Sequence, residues 1–264
     1  HTLTYQADGK AYAWQVLGKD FFPVMPQGPD KEGYTFLTWV YDDGVDKGEM
    51  IDEGVGIRTD RTAVARYAAG SGTEQDPCRI GSREELELFR MQVNRYGRTD
   101  LCAVLTSDIV MNSGTFNADG RYTPAAGETA RGVYPIGSEK QPYTGTFDGK
   151  NHIIHGLYLT ASKNQCLGLF GTVDRSGVVK NLNAAGTALI SNGAGTGLIA
   201  GVSSGTIYNC GASVFLRADK NAPTTANSAA CAGGIVGKVS EGYVENCRTW
   251  GLFAAFERCA VLSR

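Results

Sequence analysis

"GGIVGKVSEGYVENCRTWG" spans Gly233 to Gly251 and loosely repeats "LGLFGTVDRSGVVKNLNAAG", Leu167 to Gly186. A third copy, "TGLIAGVSSGTIYNCGA", lies between them from Thr196 to Ala212. Aligned, the three share Gly168, Gly197 and Gly234 at the start, and Gly177, Gly205 and Gly242 further on. They then share Asn181, Asn209 and Asn246, each followed by Leu182, Cys210 or Cys247. "KNHIIHGLYL" reads as a weaker earlier copy, with Gly156 and Leu157 in the Asn and Leu places. Repeats of this length govern the whole fold, so they are read first.

The apolar residues in the second half of each unit are three apart: Ile154 and Leu157, Val179 and Leu182, Ile207 and Cys210, Val244 and Cys247. In one flat strand such residues face opposite sides. Gly and β-branched neighbours make a helix a poor alternative. A strand, a corner and a second strand turn both residues inward, and Gly and Asn tolerate the left-handed backbone a corner needs. The expected architecture is a right-handed parallel β-helix. Its corner ladder is Gly156, Asn181, Asn209 and Asn246, and its interior ladder is Leu157, Leu182, Cys210 and Cys247. Rungs stack at about 4.8 Å, so stacked Asn amides can hydrogen-bond along the axis.

Upstream, "GSREELELFRMQVNRYG" (81–97) has a capping box in Ser82 and Glu85, then Leu86, Phe89, Val93 and Tyr96 at helical spacing, and Gly97 as a stop. An α-helix at about 82–96 is expected to cap the N-terminal end, whose unpaired strand edges need cover. "WGLFAAFERCAVLSR" (250–264) departs from the repeat and reads either as a second plug or as the start of another element.

Residues 1–68 have a different texture, rich in aromatics, Pro and charge. Asp8-Gly9 marks a turn between two β-prone runs, and "GYTFLTWVY" (33–41) reads as a strand. A short helix is conceivable in 46–54. The join is "AAGSGTEQDP", Ala68 to Pro77, small and polar. The expected domains are 1–68 and 69–264, and the whole is all-β apart from the capping helix.

Two resemblances follow from these residues. Pro23, Pro26, Gly33, Tyr34, Phe36 and Trp39 with "TDRTAVARY" (59–67) resemble the Listeria–Bacteroides repeat, also called the internalin B-repeat, with Thr38 where that family usually has Gly. The resemblance implies a small β-grasp-like module of bacterial surface proteins, with no catalytic residues. "GLFG" (168–171), "GLIAG" (197–201) and "GGIVG" (233–237), each with its Gly-x-apolar-x-Asn tail, resemble GLUG-motif repeats of bacterial surface proteins. Related segments occur beside immunoglobulin A1 protease-like domains, but the His-Glu-x-x-His metal signature is absent here.

Bulk numbers exclude several classes. A net charge of -2 in 264 residues gives no electrostatic case for nucleic acid. No apolar run approaches the roughly 18 residues of a spanning helix. The chain starts with His1, which reads as a mature form or an excised fragment, with no visible signal peptide. Seven Cys lack zinc-site spacing and read mainly as buried small hydrophobes. Cys210 and Cys247 in neighbouring rungs read as stacked thiols, with a disulfide as the alternative.

The candidate sites are few. His152 and His155, three apart, face opposite sides of a strand and make a poor metal pair. Asp108, Asp148, Asp174 and Glu241 are the carboxylates a β-helix glycosidase or lyase would use, although each fits turn duty. Asp108 with Asn112, Asn117 and Asp119 raises Ca²⁺ without EF-hand spacing; no other cofactor is expected. Tyr122, Tyr143 and Tyr243, where exposed, would stack on sugars, although such residues more often serve plain packing. The insertion "RADKNAPTTANSAA" (217–230) is a candidate binding loop through Arg217, Asp219, Lys220 and Asn221.

The expected function is a non-catalytic extracellular region of a bacterial cell-surface protein, for adhesion, ligand display or spacing. Its partner would be a host or microbial surface glycan or a matrix protein, with no nucleic acid and no membrane insertion, and the region would be monomeric. The alternatives are a carbohydrate-active β-helix enzyme and an accessory region of an immunoglobulin A1 protease-like protein.

Overall fold

The computed structural model describes the chain apart from residue 20 and residues 117–121, 130, 161–165, 191–194, 219–230 and 255–264. It divides into two compact units, His1–Gly72 and Thr73–Arg264.

The first unit is one mixed sheet of β1 (Thr2–Ala7), β2 (Lys10–Val16), β3 (Tyr34–Tyr41) and β4 (Arg61–Ala69), ordered β2-β1-β4-β3. Asp8 and Gly9 take φ of 47° and 74°, the primed turn that suits a two-residue hairpin. β1 and β4 run parallel in the centre, which is the β-grasp-like order. Trp39 is fully buried, meets Tyr5 edge-on at 5.0 Å, and donates its Nε1–H to the Pro26 carbonyl at 2.8 Å. Residues 46–54 form turns rather than the short helix considered for them. Asp46 in that stretch and Asp43 just before it clamp Arg61, each at 2.6 Å, and the guanidinium lies over the Tyr41 ring.

The second unit is a coil of parallel strands. A six-stranded sheet stacks β5 (Cys78–Ile80), β6 (Ala103–Leu105), β10 (Thr146–Asp148), β13 (Val178–Lys180), β16 (Thr206–Tyr208) and β19 (Tyr243–Glu245) in that order. A second sheet stacks β7 (Ile109–Val110), β11 (Ile153–Leu159), β14 (Asn183–Ile190), β17 (Gly211–Ala218) and β20 (Arg248–Ala254). A third stacks β12 (Phe170–Val173), β15 (Ala200–Ser203) and β18 (Val236–Val239). The turns β10-β11-β12, β13-β14-β15 and β16-β17-β18 each visit all three sheets, which makes the unit the expected parallel β-helix. A hairpin of β8 (Gly114–Phe116) and β9 (Tyr122–Pro124) stands apart from these sheets.

Alternation within the short strands sorts the residues. Phe147, Val179, Ile207 and Val244 are level in successive rungs and point inward. The first three are fully buried; Val244, in the last described rung, is 40% exposed. Burying such side chains stabilises the coil by about 1.5–3 kcal/mol each. Gly205 is required because a Cβ there would fall 2.2 Å from the carbonyls of Asp174 and Gly177 in the rung beneath.

The helix α1 (Arg83–Asn94) closes the first end. Ser82 Oγ accepts from the Glu85 N–H at 3.2 Å, while the Glu85 carboxylate accepts from Gly81 rather than from Ser82. Leu86, Phe89 and Val93 are buried; Tyr96 lies past the helix and is 38% exposed, so the apolar stripe stops one turn earlier than its spacing suggests. The Phe89 ring meets Tyr143 and Phe147 edge-on at 6.2 and 6.0 Å, and both rings pack on Phe170. Asn94 fixes the helix end by donating to the Pro135 carbonyl and accepting from the Gly137 N–H. Residues 250–254 continue β20 in register with β17, so this part of the C-terminal stretch prolongs the repeat instead of departing from it. The remainder, 255–264, lies outside the described residues.

Phe89→Ala removes the ring that joins helix to coil. We expect a loss of about 3–5 kcal/mol in denaturant unfolding of the second unit. A loss under about 1 kcal/mol would show that α1 does not seal the interior.

Candidate functional site

Asn181, Asn209 and Asn246 have φ of 51°, 50° and 51°, three left-handed corners between the six-stranded and five-stranded sheets. Their amides form one column. Asn246 Nδ2 donates to Asn209 Oδ1 at 3.1 Å, and Asn209 Nδ2 donates to Asn181 Oδ1 at 2.8 Å. Asn181 Nδ2 donates downward to Asp148 Oδ1 at 3.0 Å. The column therefore ends on a carboxylate, which accepts without needing to donate.

Gly156 is not part of this corner ladder. β11 pairs with β14 from Ile153↔Asn183 to Leu159↔Ala188, with a register shift between His155 and Leu157, so Gly156 (φ 72°) is a bulge inside the strand. A Cβ at Gly156 would lie 2.1 Å from the Asn112 carbonyl. The bulge explains why Ile154 and Leu157 are both fully buried without a corner between them. The true corner of this rung is Lys150-Asn151, with φ of 49° and 66°. Leu157 accordingly stands level with Gly186, outside the column of Leu182, Cys210 and Cys247. His152 lies under Leu182, since the Asn183 N–H donates to the His152 carbonyl just as the Gly211 N–H donates to that of Leu182.

The candidate carboxylates divide between two corners. Asp148 Oδ1 also accepts from the Lys150 N–H at 2.9 Å, and Oδ2 faces Lys150 Nζ at 3.3 Å and Lys180 Nζ at 3.9 Å. Burial would raise this carboxyl, but the Asn181 amide, the Lys150 N–H and the Lys150 ammonium outweigh it and hold it below its ordinary value. Asp108 Oδ1 accepts from the Ile153 N–H and faces His152 Nδ1, both at 3.0 Å; the N–H first and the imidazole second hold it low. Asp174 Oδ1 accepts from the Arg175 N–H at 2.7 Å, inside its own turn. Glu241 pairs with Arg175.

Asn112, considered with Asp108 for Ca²⁺, donates to the carbonyls of Arg131 and Gly156 and accepts from the Arg131 N–H. Asn117 and Asp119 lie outside the described residues. Among the described residues, no cluster of three or more His, Cys, Asp or Glu is placed to hold a metal. His155 stands in β11, level with Ala185. Tyr143 is fully buried and donates to the Leu101 carbonyl at 2.8 Å, so it is core rather than a sugar platform; burial raises its phenol well above the ordinary value. Asp219, Lys220 and Asn221 lie outside the described residues. Arg217 stands in β17, level with Leu189 and Ala254, rather than in a loop.

The outer face of the six-stranded sheet is the surface that sequence reading missed. Arg79, Val104, Asp148, Lys180, Tyr208 and Glu245 form one outward column across six strands. Thr146, Val178, Thr206 and Tyr243 form the other. At the helix-capped end, the face carries a groove of about 420 Å³ lined by Arg79, Lys150, Lys180, Asp148 and Thr146 among others. At the far end stand Tyr208, 42% exposed, and Tyr243, 74% exposed. Period-two alternation in the second half of each repeat is the signal that points to this face; the misplaced corner at Gly156 hid its first rungs.

No family model matches the chain, and no solved structure matches it. Two curated proteins are similar to parts of it. "Halomucin" of Haloquadratum walsbyi is 29% identical over 153 residues, covering 58% of this chain and 2% of that protein. The "Putative Gly-rich membrane protein" of Evansella cellulosilytica is 26% identical over 145 residues, covering 54% of this chain and 15% of that protein. The chain thus spans a small part of the relatives it matches.

Two substitutions test the ladder. At Asn209, Gly keeps the φ and loses the amide bonds, whereas Ala loses both, so stability should fall in the order Asn, Gly, Ala, by about 1–2 and about 2–4 kcal/mol respectively. Thermal or denaturant unfolding reads this order; Ala equal to Gly would mean the corner is unstrained. Asp148 has a lowered pKa in the fold, so its contribution is present above the ordinary carboxylate range and lost as pH falls through the folded value. In unfolding titrations from about pH 6 to about pH 2, wild type should lose more stability than Asp148→Asn; parallel curves would dismiss the anchor.

Proposed function

We propose that this chain is a non-catalytic, extracellular region of a bacterial cell-surface protein that displays a glycan-binding face on a β-helical stalk. The observation that carries this reading is that each carboxylate considered for catalysis is held by a structural partner. Asp148 anchors the amide column, Asp108 binds a strand N–H, Asp174 closes its own turn and Glu241 is paired with Arg175. General acid and base work needs a pair aimed at one bond, and each of these four is turned to a partner of its own. The two relatives, one named Halomucin and one named as a Gly-rich membrane protein, support a surface setting. The resemblances to GLUG-motif and Listeria–Bacteroides repeats support the same setting.

The outer face of the six-stranded sheet supplies the recognition chemistry. Tyr208 and Tyr243 stand on adjacent rungs and offset columns, with open rings for sugar faces. Lys150, Lys180 and Arg79 line the groove beyond them. Backbone spacing of about 4.8 Å per rung gives the face a repeat that suits an extended polymer better than a small molecule.

A glycan array probed with the full chain, with host matrix proteins alongside, tests the proposal. Binding to extended surface glycans is expected, with Tyr208→Ala and Tyr243→Ala each weakening it about tenfold. Release of sugar products from any bound glycan, or binding indifferent to both tyrosines, would reject it.

A further inference from the structure

Cys210 and Cys247 occupy the same place in consecutive rungs. Gly211 is level with Arg248, and the Arg248 N–H donates to the Cys210 carbonyl at 2.9 Å. Each thiol has the same surroundings, displaced by one rung. Cys210 Sγ lies 3.3 Å from the Tyr208 carbonyl and 3.7 Å from that of Val179 below. Cys247 Sγ lies 3.3 Å from the Glu245 carbonyl and 3.7 Å from that of Ile207 below. The asparagines just before them are hydrogen-bonded corners of equal φ, which fixes the two cysteine backbones in parallel. Strand spacing of about 4.8 Å falls inside the roughly 4.4–6.8 Å Cα separation that a disulfide accepts.

Other described cysteines are placed differently. Cys78 is level with Ala103, so Cys102 is one residue off its column. Between Cys166 and Cys231 lies the rung of Thr196, which bridges Leu167 on one side and Ala232 on the other.

We propose that Cys210 and Cys247 form a rung-to-rung cross-linking site, closed by a low-molecular-mass disulfide such as glutathione disulfide and reopened by thiols. In the structure both are free thiols. The neighbouring Cys210 thiol lowers the pKa of Cys247 to about 7, while the neighbouring Cys247 and burial push Cys210 up. Cys247, the more exposed of the two, therefore loses its proton first. Its thiolate attacks one sulfur of glutathione disulfide and expels one glutathione thiolate, which takes up a proton. Cys210 then gives up its proton and attacks the Cys247 sulfur, releasing the second glutathione. Two protein thiols become one disulfide, and one glutathione disulfide becomes two thiols.

The cross-link would fasten the last described rung to the one beneath it. That rung has the least cover: Val244 is 40% exposed, and Val239 in the same turn is 47% exposed. Closing this segment restricts the unfolded chain, which is how disulfides chiefly stabilise.

The test uses the full 264-residue chain, reduced and then treated with glutathione disulfide. Peptide mapping without reductant is expected to join the Cys210 and Cys247 peptides with loss of two hydrogens. The melting temperature should rise by roughly 5–10 °C and return on addition of dithiothreitol. Cys210→Ser and Cys247→Ser should each abolish the joined peptide and the shift. Two thiols left unreacted, a glutathione adduct that stops at Cys247, or a bridge to a different cysteine would overturn the proposal.

Discussion

A column of three asparagine amides, ending on a carboxylate, sets the geometry of the coil. Each asparagine holds a left-handed φ that most residues avoid, and so turns the chain from one sheet into the next. Glycine would permit the same turn. Only asparagine adds a donor and an acceptor that reach the corners above and below. An amide hydrogen bond contributes about 1 kcal/mol net, and the bond to Asp148 more because its acceptor is charged. Stacked in register, these bonds lock each rung to the next at the point where the chain would otherwise be freest to slip.

The interior and the surface both follow from that lock. With the corners level, the inward column runs Phe147, Val179, Ile207, Val244, and the aromatic cluster of Tyr143, Phe147 and Phe170 packs under Phe89 of α1. The same register brings outward side chains into columns, so a regular outer face arises without further design. Asp148 joins the two roles. One oxygen terminates the amide column and the other holds Lys150 and Lys180 at the groove. A carboxylate in a β-helix groove is thus a structural anchor here, and the lysines it holds are partly neutralised by it.

Much of this was legible in the sequence because the constraint recurs. Asn181, Asn209 and Asn246 follow the same Gly-x-apolar pattern three times, and the apolar residues three apart demand a corner. The capping helix was equally plain from Ser82, Glu85 and the stripe Leu86, Phe89, Val93 and Tyr96, of which only Tyr96 falls past its end. The rung of β10 and β11 was not legible. "NHIIHGLYL" (151–159) imitates the repeat through Gly156-Leu157, yet a bulge and a corner both bring residues three apart to one side. The Asp-Gly-Lys-Asn turn at 148–151 does the corner's work with different residues. The role of Asp148 was hidden for the same reason, since a hairpin-like Asp-Gly signal says nothing about an amide in the next rung. Tyr143 was left between sugar stacking and plain packing because a lone Tyr outside the repeats carries no periodicity to say which way it points, and its full burial decides for packing.

Side-chain amide hydrogen exchange at Asn209, followed by NMR, tests the central claim most directly. Asn209 both donates to Asn181 and accepts from Asn246. If the column holds the coil, its Nδ2 protons should exchange at least about tenfold more slowly than those of an unstructured asparagine, and protection should drop in Asp148→Asn. Exchange at the rate of a free carboxamide would contradict the account.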